Sequence, residues 1–367
     1  MANNLNPKPR VIFVSLPSSD SNLYNQVKQK GDIRFGIHTV CIVERSLCKV
    51  QKPGSYIANI IPKVNLRLGG TNQVIGDGGM HIITQNNTMV VGIDVTHPSP
   101  GSASNAPSVA GIVASVDGWL AQWPADLRIQ PARTETVEGL DILLKSRLQL
   151  WRKYNKGQLP ENILVYRDGV SEGQYNMVVQ EELPLLRKAC AELYPATTTK
   201  QEKPNISIIV VGKRHNTRFY PSKKEEADRF WNPQNGTVVD RGVTEARNWD
   251  FFLQPHFALK GTARPAHYFV ILDEIFTNYH KDYTVATDAL QDLTHKMCYL
   301  WGRATKSVSI CPPAYYADLV CERARRYLSR YYNDGPGPTA SGQAANQPTM
   351  QQLMAVHNNL VNTMYYI

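Results

Sequence analysis

A chain of 367 residues with 42% hydrophobic and 19% charged side chains is typical of a globular protein of two or three domains. It contains no apolar run of about eighteen residues, which excludes a membrane-spanning helix, and its first ten residues have no apolar core of the kind found in secretory signals. The formal net charge of +9 favours a polyanionic partner, nucleic acid before an anionic membrane, although ordinary solubility charge gives the same value.

The six cysteines are scattered along the chain, mostly within apolar runs, and no two of them form a C-x-x-C pair. This usage indicates reduced thiols rather than a disulfide framework. We therefore expect an intracellular protein with a cytoplasmic location.

Residues 10–68 alternate apolar strand-like runs with helical patterns, which predicts a small α/β unit. The predicted elements are a strand at 11–14, a helix through Tyr24 to Lys28, a strand at 35–43 and a helix at 55–65. A stretch rich in glycine and asparagine follows, up to Gly79. It predicts a boundary between one domain at 1–75 and a second at 76–367.

The second unit begins with strands and continues with strand–helix alternation, which predicts an α/β fold with a mixed sheet. Its predicted strands cover residues 89–94, 108–115, 120–130 (interrupted by Pro124), 162–167, 206–211 and 267–272. Its predicted helices cover 136–154, a segment from Ser171 onward, and 312–332, where Pro312 and Pro313 suit a first turn. Mobile loops are predicted at 98–107, 195–205 and 333–350, which are rich in Pro, Gly, Ser, Thr or Asn.

Asp168 ends the predicted buried strand 162–167 and precedes a helix start. Ser171 and Gln174 have the spacing of a capping box, which predicts that start. The carboxyl ends of strands in open α/β sheets are where such proteins keep functional groups. On this pattern alone Asp168 is equally well read as a capping residue and as a catalyst.

Asp94 ends another predicted buried strand, and Asp318 lies in the first turns of the helix after Pro312. Carboxylates from distant segments can converge on magnesium, which prefers oxygen ligands, and two such ions can act together in phosphoryl displacement. The alternative reading is three solvated or capping aspartates, and the spacing alone favours that alternative.

A second group of polar residues lies in the first domain. Tyr24 and Lys28 share one helix face, Thr39 lies on the next strand, and Lys63 and Arg67 share another face. These side chains could grip a terminal phosphate, with the tyrosine ring stacked on its base. Without further information, basic surface helices are the simpler interpretation.

Several motifs, in order along the chain, resemble those of the Argonaute family of eukaryotes. They include Gly92-Ile-Asp94-Val-Thr-His-Pro98, Tyr166-Arg-Asp168-Gly-Val-Ser-Glu-Gly-Gln174, Lys213-Arg-His-Asn-Thr-Arg218, Gly261-Thr-Ala-Arg-Pro-Ala-His267, Thr305-Lys-Ser-Val-Ser309 and Pro313-Ala-Tyr-Tyr-Ala-Asp318. The resemblance runs from about residue 10 to Ile367 and covers the family's MID–PIWI lobe. The family's N and PAZ domains are not matched, and the divergence of the sequence suggests a filamentous-fungal silencing protein.

The resemblance implies a Rossmann-like MID domain followed by an RNase H-like PIWI domain. It carries over Asp94, Asp168 and Asp318 as catalytic, metal-binding residues for Mg²⁺ or Mn²⁺. Many members have histidine where this chain has Asp318. A fourth catalytic carboxylate is implied on a loop, at Glu135 with Glu138 as a rival, to orient the attacking water.

The resemblance also implies that the first-domain group binds the 5′-phosphate of a guide RNA. The implied residues of this pocket are Tyr24, Lys28, Thr39, Lys63, Arg67, Arg323 and the C-terminal carboxylate of Ile367. The family usually has glutamine where this chain has Val40, so Thr39 is expected to supply the polar contact. Contacts with the RNA backbone are expected from Arg167, Lys213, Arg214, His215, Arg218, Arg264 and Lys306.

The main hypothesis is therefore a monomeric endoribonuclease that uses a small guide RNA to cleave a target RNA. Silencing cofactor proteins are expected as partners, and no membrane partner is expected. One alternative is a guide-binding scaffold that does not cleave efficiently, particularly without the N and PAZ domains. Another is a DNA-directed nuclease or recombinase of the RNase H type, which would not need a phosphate pocket. The preferred 5′ nucleotide, the guide class and the partner proteins are not encoded in any recognisable pattern.

Overall fold

The computed structural model describes residues 7–45, 53–76, 80–103, 105–195, 203–332 and 349–367. Cys48 and most of the predicted loops 195–205 and 333–350 lie outside the described residues. The strands are β1 (Val11–Leu16), β2 (His38–Val43), β3 (Thr88–Thr96), β4 (Ser108–Ala114), β5 (Ala125–Gln130), β6 (Asn162–Asp168), β7 (Asn205–Gly212), β8 (Thr237–Val239), β9 (Trp249–Gln254) and β10 (Ala266–Leu272).

The α-helical segments are α1 (Ser21–Gln29), α2 (Pro53–Arg67), α3 (His81–Thr84), α4 (Leu140–Tyr154), α5 (Tyr175–Met177), α6 (Leu183–Leu193), α7 (Phe276–Tyr279), α8 (Tyr283–Cys298), α9 (Pro312–Tyr327), α10 (Ser329–Tyr332) and α11 (Met350–Leu353). Two π-helical turns extend this set, one at Lys30–Phe35 after α1 and one at Val178–Glu182 before α6. No helix among the described residues combines the length and the apolarity that crossing a bilayer requires.

The chain builds two sheets. In the first unit, β1 and β2 pair in parallel, which requires the crossover through α1. The second sheet has the strand order β5-β4-β3-β6-β7-β10-β9-β8, with β3, β6 and β7 parallel and their neighbours antiparallel. The predicted mixed α/β architecture is confirmed, while the boundary at residue 75, which falls between the two sheets, stays a prediction.

The central strands are buried on both faces, as their continuous apolar runs predict. Alternate residues of β6 face opposite layers: Leu164 and Tyr166 pack with α8 and α9, whereas Ile163 and Val165 pack with α4 and α6. The sheet is therefore covered by helices on both sides. The parallel strands β3, β6 and β7 all end at the same side of the sheet, here called its carboxyl edge.

Several predicted elements have different bounds in the structure. The predicted strand 35–43 begins only at His38, because Phe35 belongs to a π-helical turn that ends at left-handed Gly36. The predicted strand 120–130 is reduced to β5, since Leu120 adopts a left-handed turn conformation with φ 54°. The predicted helix 136–154 starts at Leu140, after Gly139 with φ 65°. Strands β8 and β9 and helix α8 were not predicted.

Candidate functional site

Three aspartates from three separate elements lie at the carboxyl edge of the large sheet. Asp94 is near the end of β3, Asp168 ends β6, and Asp318 lies on α9, which packs across β3 and β4. Gly92 permits this packing, because a Cβ atom there would lie 1.9 Å from the carbonyl oxygen of Pro313. The glycine of the Gly-Ile-Asp motif thus lets α9 approach the strand that carries Asp94.

The three carboxylates interact electrostatically. Burial and the neighbouring Asp94 raise the pKa of Asp168 to about 7, and Asp318 adds to the rise. Burial and Asp94 likewise raise the pKa of Asp318 to about 6. Burial also raises the pKa of Asp94, against the attraction of Arg167. A cation placed among these groups would relieve both the desolvation and the mutual repulsion.

Glu135 lies beside this cluster, on the loop between β5 and α4. Its Oε2 atom is 2.7 Å from His97 Nε2, and its Oε1 atom accepts a hydrogen bond of 3.1 Å from Arg167. A Cβ atom at Gly169 would lie 3.5 Å from Glu135 Oε1 and 3.2 Å from Asp94 Oδ1, so both oxygens border the same small space. The rival Glu138 is exposed, and its backbone N–H donates to Gln130.

The expectation that Arg167 contacts the RNA backbone is wrong. Its side chain is 0% exposed and forms ion pairs with Glu135 and Glu182, while it also donates to the carbonyl oxygens of Asp168 and Glu135. A fully buried guanidinium whose three nitrogen atoms all donate to groups inside the protein is not accessible to a phosphate. Arg167 instead fixes the position of Glu135 relative to Asp168.

The donor chemistry of the cluster fits a hard divalent cation, since all of its ligands are carboxylate oxygens. The positions of the side chains do not give a full set of ligands for one ion. Within the part of the chain that the structure describes, no three His, Cys, Asp or Glu side chains converge so as to hold a single metal ion. The cluster therefore fits a divalent cation by the chemistry of its oxygen donors and not by the convergence of three side chains.

A second polar site is a cavity of about 640 Å³ between the first unit, α9 and the C-terminus. Six lysine and arginine side chains line it: Lys28, Lys63, Arg67, Arg303, Arg323 and Arg326. Tyr24 and the C-terminal Ile367 also line it, and the acidic residues of the wall are Asp20 and Glu322. The excess of cations suits a phosphate group.

Lys28 is the most perturbed cation of this cavity. Burial, Arg323 and Arg67 lower its pKa to about 6, and its Nζ atom lies 5.4 Å from the centroid of the Tyr24 ring. Thr39 holds it in place, accepting from Lys28 Nζ through both its carbonyl and its hydroxyl oxygen. Thr39 does not line the cavity, whereas Val40 does. Thr39 therefore positions Lys28 and the expectation of a direct phosphate contact is not met in this structure.

Arg323 and Arg67 connect the cavity to the C-terminus. Arg323 donates to Asp32 Oδ2 at 2.6 Å and to the carbonyl oxygens of Tyr365 and Tyr366, each at 3.1 Å. Arg67 donates to the terminal Ile367 oxygen and, at 2.5 Å, to the Thr39 carbonyl oxygen. Helix α9 thus carries Asp318 toward the acidic cluster and Arg323 toward the cavity.

The remaining predicted backbone contacts differ in how accessible they are. Lys213 donates to Ser309, His215 contacts the Pro265 carbonyl oxygen, and Arg218 donates to His215 and Thr217. Arg214, Arg264 and Lys306 are exposed. Of these six residues, Arg214, Arg264 and Lys306 can contact a polyanion without breaking a side-chain hydrogen bond within the protein.

Several residues of these sites were not singled out from the sequence. His97 and Glu182 bracket the Glu135–Arg167 pair, and Asp32 neutralises Arg323. Arg303 and Arg326 add charge to the cavity. His97 falls within the Asp94 motif, which is the one signal that could have identified it. The others depend on contacts between distant segments.

Comparisons with known proteins agree with this architecture. The family model of the Piwi domain matches residues 11–329. The chain is 35% identical to Protein argonaute 5 of Arabidopsis thaliana over 382 residues, covering 98% of this chain and 36% of that protein. It spans about a third of the length of the curated relatives that it matches first.

Two solved structures are also similar. One is Kluyveromyces polysporus Argonaute with a guide RNA, with a TM-score of 0.85, 30% identity, and coverage of 100% of this chain and 40% of that one. The other is the MID–PIWI portion of N. crassa QDE-2, with a TM-score of 0.66, 35% identity, and coverage of 98% and 80%. These similarities confirm that the mixed-sheet fold belongs to the RNase H-like class, as the sequence predicts.

Proposed function

The chain belongs to the Argonaute family through its Piwi domain, and on that premise we propose that it binds a small guide RNA and cleaves a paired target RNA in gene silencing. The observation that supports cleavage most directly is the acidic cluster, in which Asp94 raises the pKa of both Asp168 and Asp318. The cation-rich cavity supports guide binding.

In this proposal the 5′-phosphate of the guide occupies the cavity. Lys28, Lys63, Arg67 and Arg323 would neutralise it, and Tyr24 would stack on the first base. Guide binding is known for one relative, the Kluyveromyces polysporus protein whose structure contains a guide RNA. Sequence would be read by base pairing, so that protein contacts with the target need only reach its backbone.

Asp94, Asp168 and Asp318 would hold Mg²⁺ or Mn²⁺. These three side chains would hold the ions, which when bound would stabilise negative charge on the scissile phosphate and lower the pKa of water. Glu135, held by Arg167 and His97, would orient the attacking water. The water oxygen bonds to phosphorus as the bond to the 3′-oxygen breaks and that oxygen takes a proton, leaving a 3′-hydroxyl and a 5′-phosphate.

A scaffold that binds guides without efficient cleavage is the second candidate. It is favoured by the absence, among the described residues, of three side chains that converge on one ion. A cytoplasmic location and silencing cofactor proteins remain predictions in either case.

The decisive experiment compares cleavage and guide binding in the same preparations. Asp94→Ala and Asp168→Ala should abolish Mg²⁺-dependent cleavage of a guide-matched RNA and leave the affinity for a 5′-phosphorylated guide unchanged. Asp292→Ala, which removes an exposed aspartate of α8, is the control. Guide binding without any cleavage by the wild-type chain would favour the scaffold. Cleavage by Asp94→Ala and Asp168→Ala at the wild-type rate would refute the proposed catalytic residues.

The phosphate pocket needs its own test. A guide with a 5′-phosphate should bind more tightly than the same guide with a 5′-hydroxyl, by about tenfold or more, because several charge-assisted hydrogen bonds are lost with the phosphate. Lys63→Ala should reduce that preference, while Lys145→Ala, an exposed cation on α4, should not. Equal affinity for both guides would refute the pocket.

A further inference from the structure

A tight turn at residues 228–232, here called the aromatic turn, presents a tryptophan to solvent. Trp231 has φ 61° and is 57% exposed. A left-handed conformation is uncommon for a bulky residue and costs on the order of 1–3 kcal/mol. Asp228 enforces it, because its Oδ1 atom accepts from the backbone N–H groups of Phe230 and Asn232 at 2.8 and 2.9 Å.

A second loop supports the aromatic turn. Asn232, 2% exposed, donates to the Gly261 carbonyl oxygen at 3.1 Å and accepts from the Ala263 N–H at 2.7 Å. The rings of Phe230 and Phe257 lie 5.9 Å apart. The Arg229 guanidinium lies 4.9 and 5.1 Å from these two ring centroids. The two loops therefore form one fixed surface of aromatic rings with a cation above them.

This surface lies at the edge of the sheet that carries the acidic cluster. The first loop, residues 213–232, contains the aromatic turn and follows β7, which is parallel to β6. The second loop, residues 255–265, follows β9. Strand β9 runs in the same direction as β7, because both are antiparallel to β10. The first loop also begins next to the cluster, since Arg214 is close enough to Asp318 to lower its pKa.

The charge of the two loops suits a polyanion. Residues 213–232 and 255–265 together contain eight lysines and arginines but three acidic residues. Exposed rings among cations bind single-stranded nucleic acid, because every base has a face that can stack and the cations follow the backbone. A protein partner would be favoured by a larger and less charged apolar patch.

We infer that the aromatic turn is a stacking platform for unpaired bases of an RNA strand that passes the acidic cluster, with Trp231 as its principal contact. This inference rests on the proposed function, in which RNA lies across that edge. It adds a base-contacting site outside the phosphate cavity and outside the acidic cluster.

The test measures binding of a labelled oligouridine with a 5′-hydroxyl, so that the phosphate cavity is not engaged, by fluorescence anisotropy. Trp231→Ala should weaken binding by about fivefold or more, because stacking contributes about 1–3 kcal/mol per base. Trp231→Phe should keep most of the affinity. The matched control is Trp119→Ala, which removes a tryptophan that is 59% exposed in the β4–β5 turn, at the opposite edge of the sheet.

An abasic oligomer of equal charge separates stacking from charge attraction. The wild-type chain should prefer oligouridine to the abasic oligomer, and Trp231→Ala should lose that preference. Photocrosslinking of RNA containing 4-thiouridine to the unaltered chain should yield adducts within residues 228–232, which makes the test independent of any variant's folding. Equal binding by Trp231→Ala and Trp119→Ala, or adducts that avoid the turn, would overturn the inference.

Failure of the proposed function would be seen elsewhere, as equal affinity for 5′-phosphorylated and 5′-hydroxyl guides together with absent cleavage. Such a result leaves the Trp231 comparison intact, because that comparison uses neither the phosphate nor the carboxylates.

Discussion

Arg167 donates to Glu135 Oε1 at 3.1 Å while its side chain is completely buried, so that a cation inside the sheet fixes a loop carboxylate beside Asp94. The same guanidinium pairs with Glu182 at 3.0 Å, and Glu182 is 1% exposed. Arg167 is therefore shared between a structural partner and a catalytic candidate. Its loss should affect both stability and the order of the site.

Arg167→Met should destabilise the fold by about 3–5 kcal/mol, because it leaves the charge of Glu182 buried and unpaired. The double variant Arg167→Met, Glu182→Met should recover part of that loss, since the charge of Glu182 is then no longer buried without a partner. Chemical denaturation of the wild type and of both variants measures the free energies of unfolding. A double variant less stable than Arg167→Met would contradict this account, because Glu182 without Arg167 would then not be a costly buried charge.

Gly92→Ala should disturb the acidic cluster from a distance. The added methyl group would meet the Pro313 carbonyl oxygen, which is part of the backbone and cannot move aside, so α9 must shift and carry Asp318 with it. We expect a loss of stability of about 1–3 kcal/mol and reduced cleavage. Gly212→Ala in β7 is the control, since its Cβ would meet nothing within 4 Å. Equal effects of the two substitutions would argue against the close approach.

Asp168→Asn should stabilise the metal-free protein. Burial and Asp94 hold the pKa of Asp168 at about 7, so its ionised form is unfavourable in the folded state near neutral pH, and a neutral isostere removes that cost. We expect the midpoint of thermal unfolding in EDTA to rise by about 2 °C or more. In Mg²⁺ the wild type should gain stability and the variant should gain less. A variant that melts below the wild type in EDTA would contradict this electrostatic account.

The sequence predicts the parts of the fold that depend on local pattern. Asp94 and Asp168 follow apolar runs that are buried on both faces, and the structure places both at the same sheet edge. The capping box of Ser171 and Gln174 is also present, with the Gln174 side chain accepting from the Ser171 N–H. These features need only a few neighbouring residues.

The roles of several site residues depend on contacts between distant segments, which a local sequence pattern cannot predict. Arg167 was expected to face RNA because its charge is visible in the sequence, whereas its partners Glu135 and Glu182 come from other elements. Thr39 was expected to contact phosphate, but its carbonyl and hydroxyl oxygens both accept hydrogen bonds from Lys28 on the neighbouring helix α1. Glu135 was predicted only from the family resemblance, since a loop position carries no periodic signal.

Lys28 gives the phosphate pocket a characteristic pH dependence. Burial, Arg323 and Arg67 lower its pKa to about 6 from an ordinary value of 10.5, so the free protein holds a neutral amine at pH 7.5. A phosphate dianion beside it would raise that pKa again, and binding would therefore take up a proton. The affinity for a 5′-phosphorylated guide should fall as pH rises above about 7, by up to about tenfold per pH unit. Calorimetry at pH 7.5 in buffers of different ionisation enthalpy should show proton uptake with the phosphorylated guide only. Lys28→Gln should abolish the uptake, and uptake that persists in this variant would assign the proton to another group.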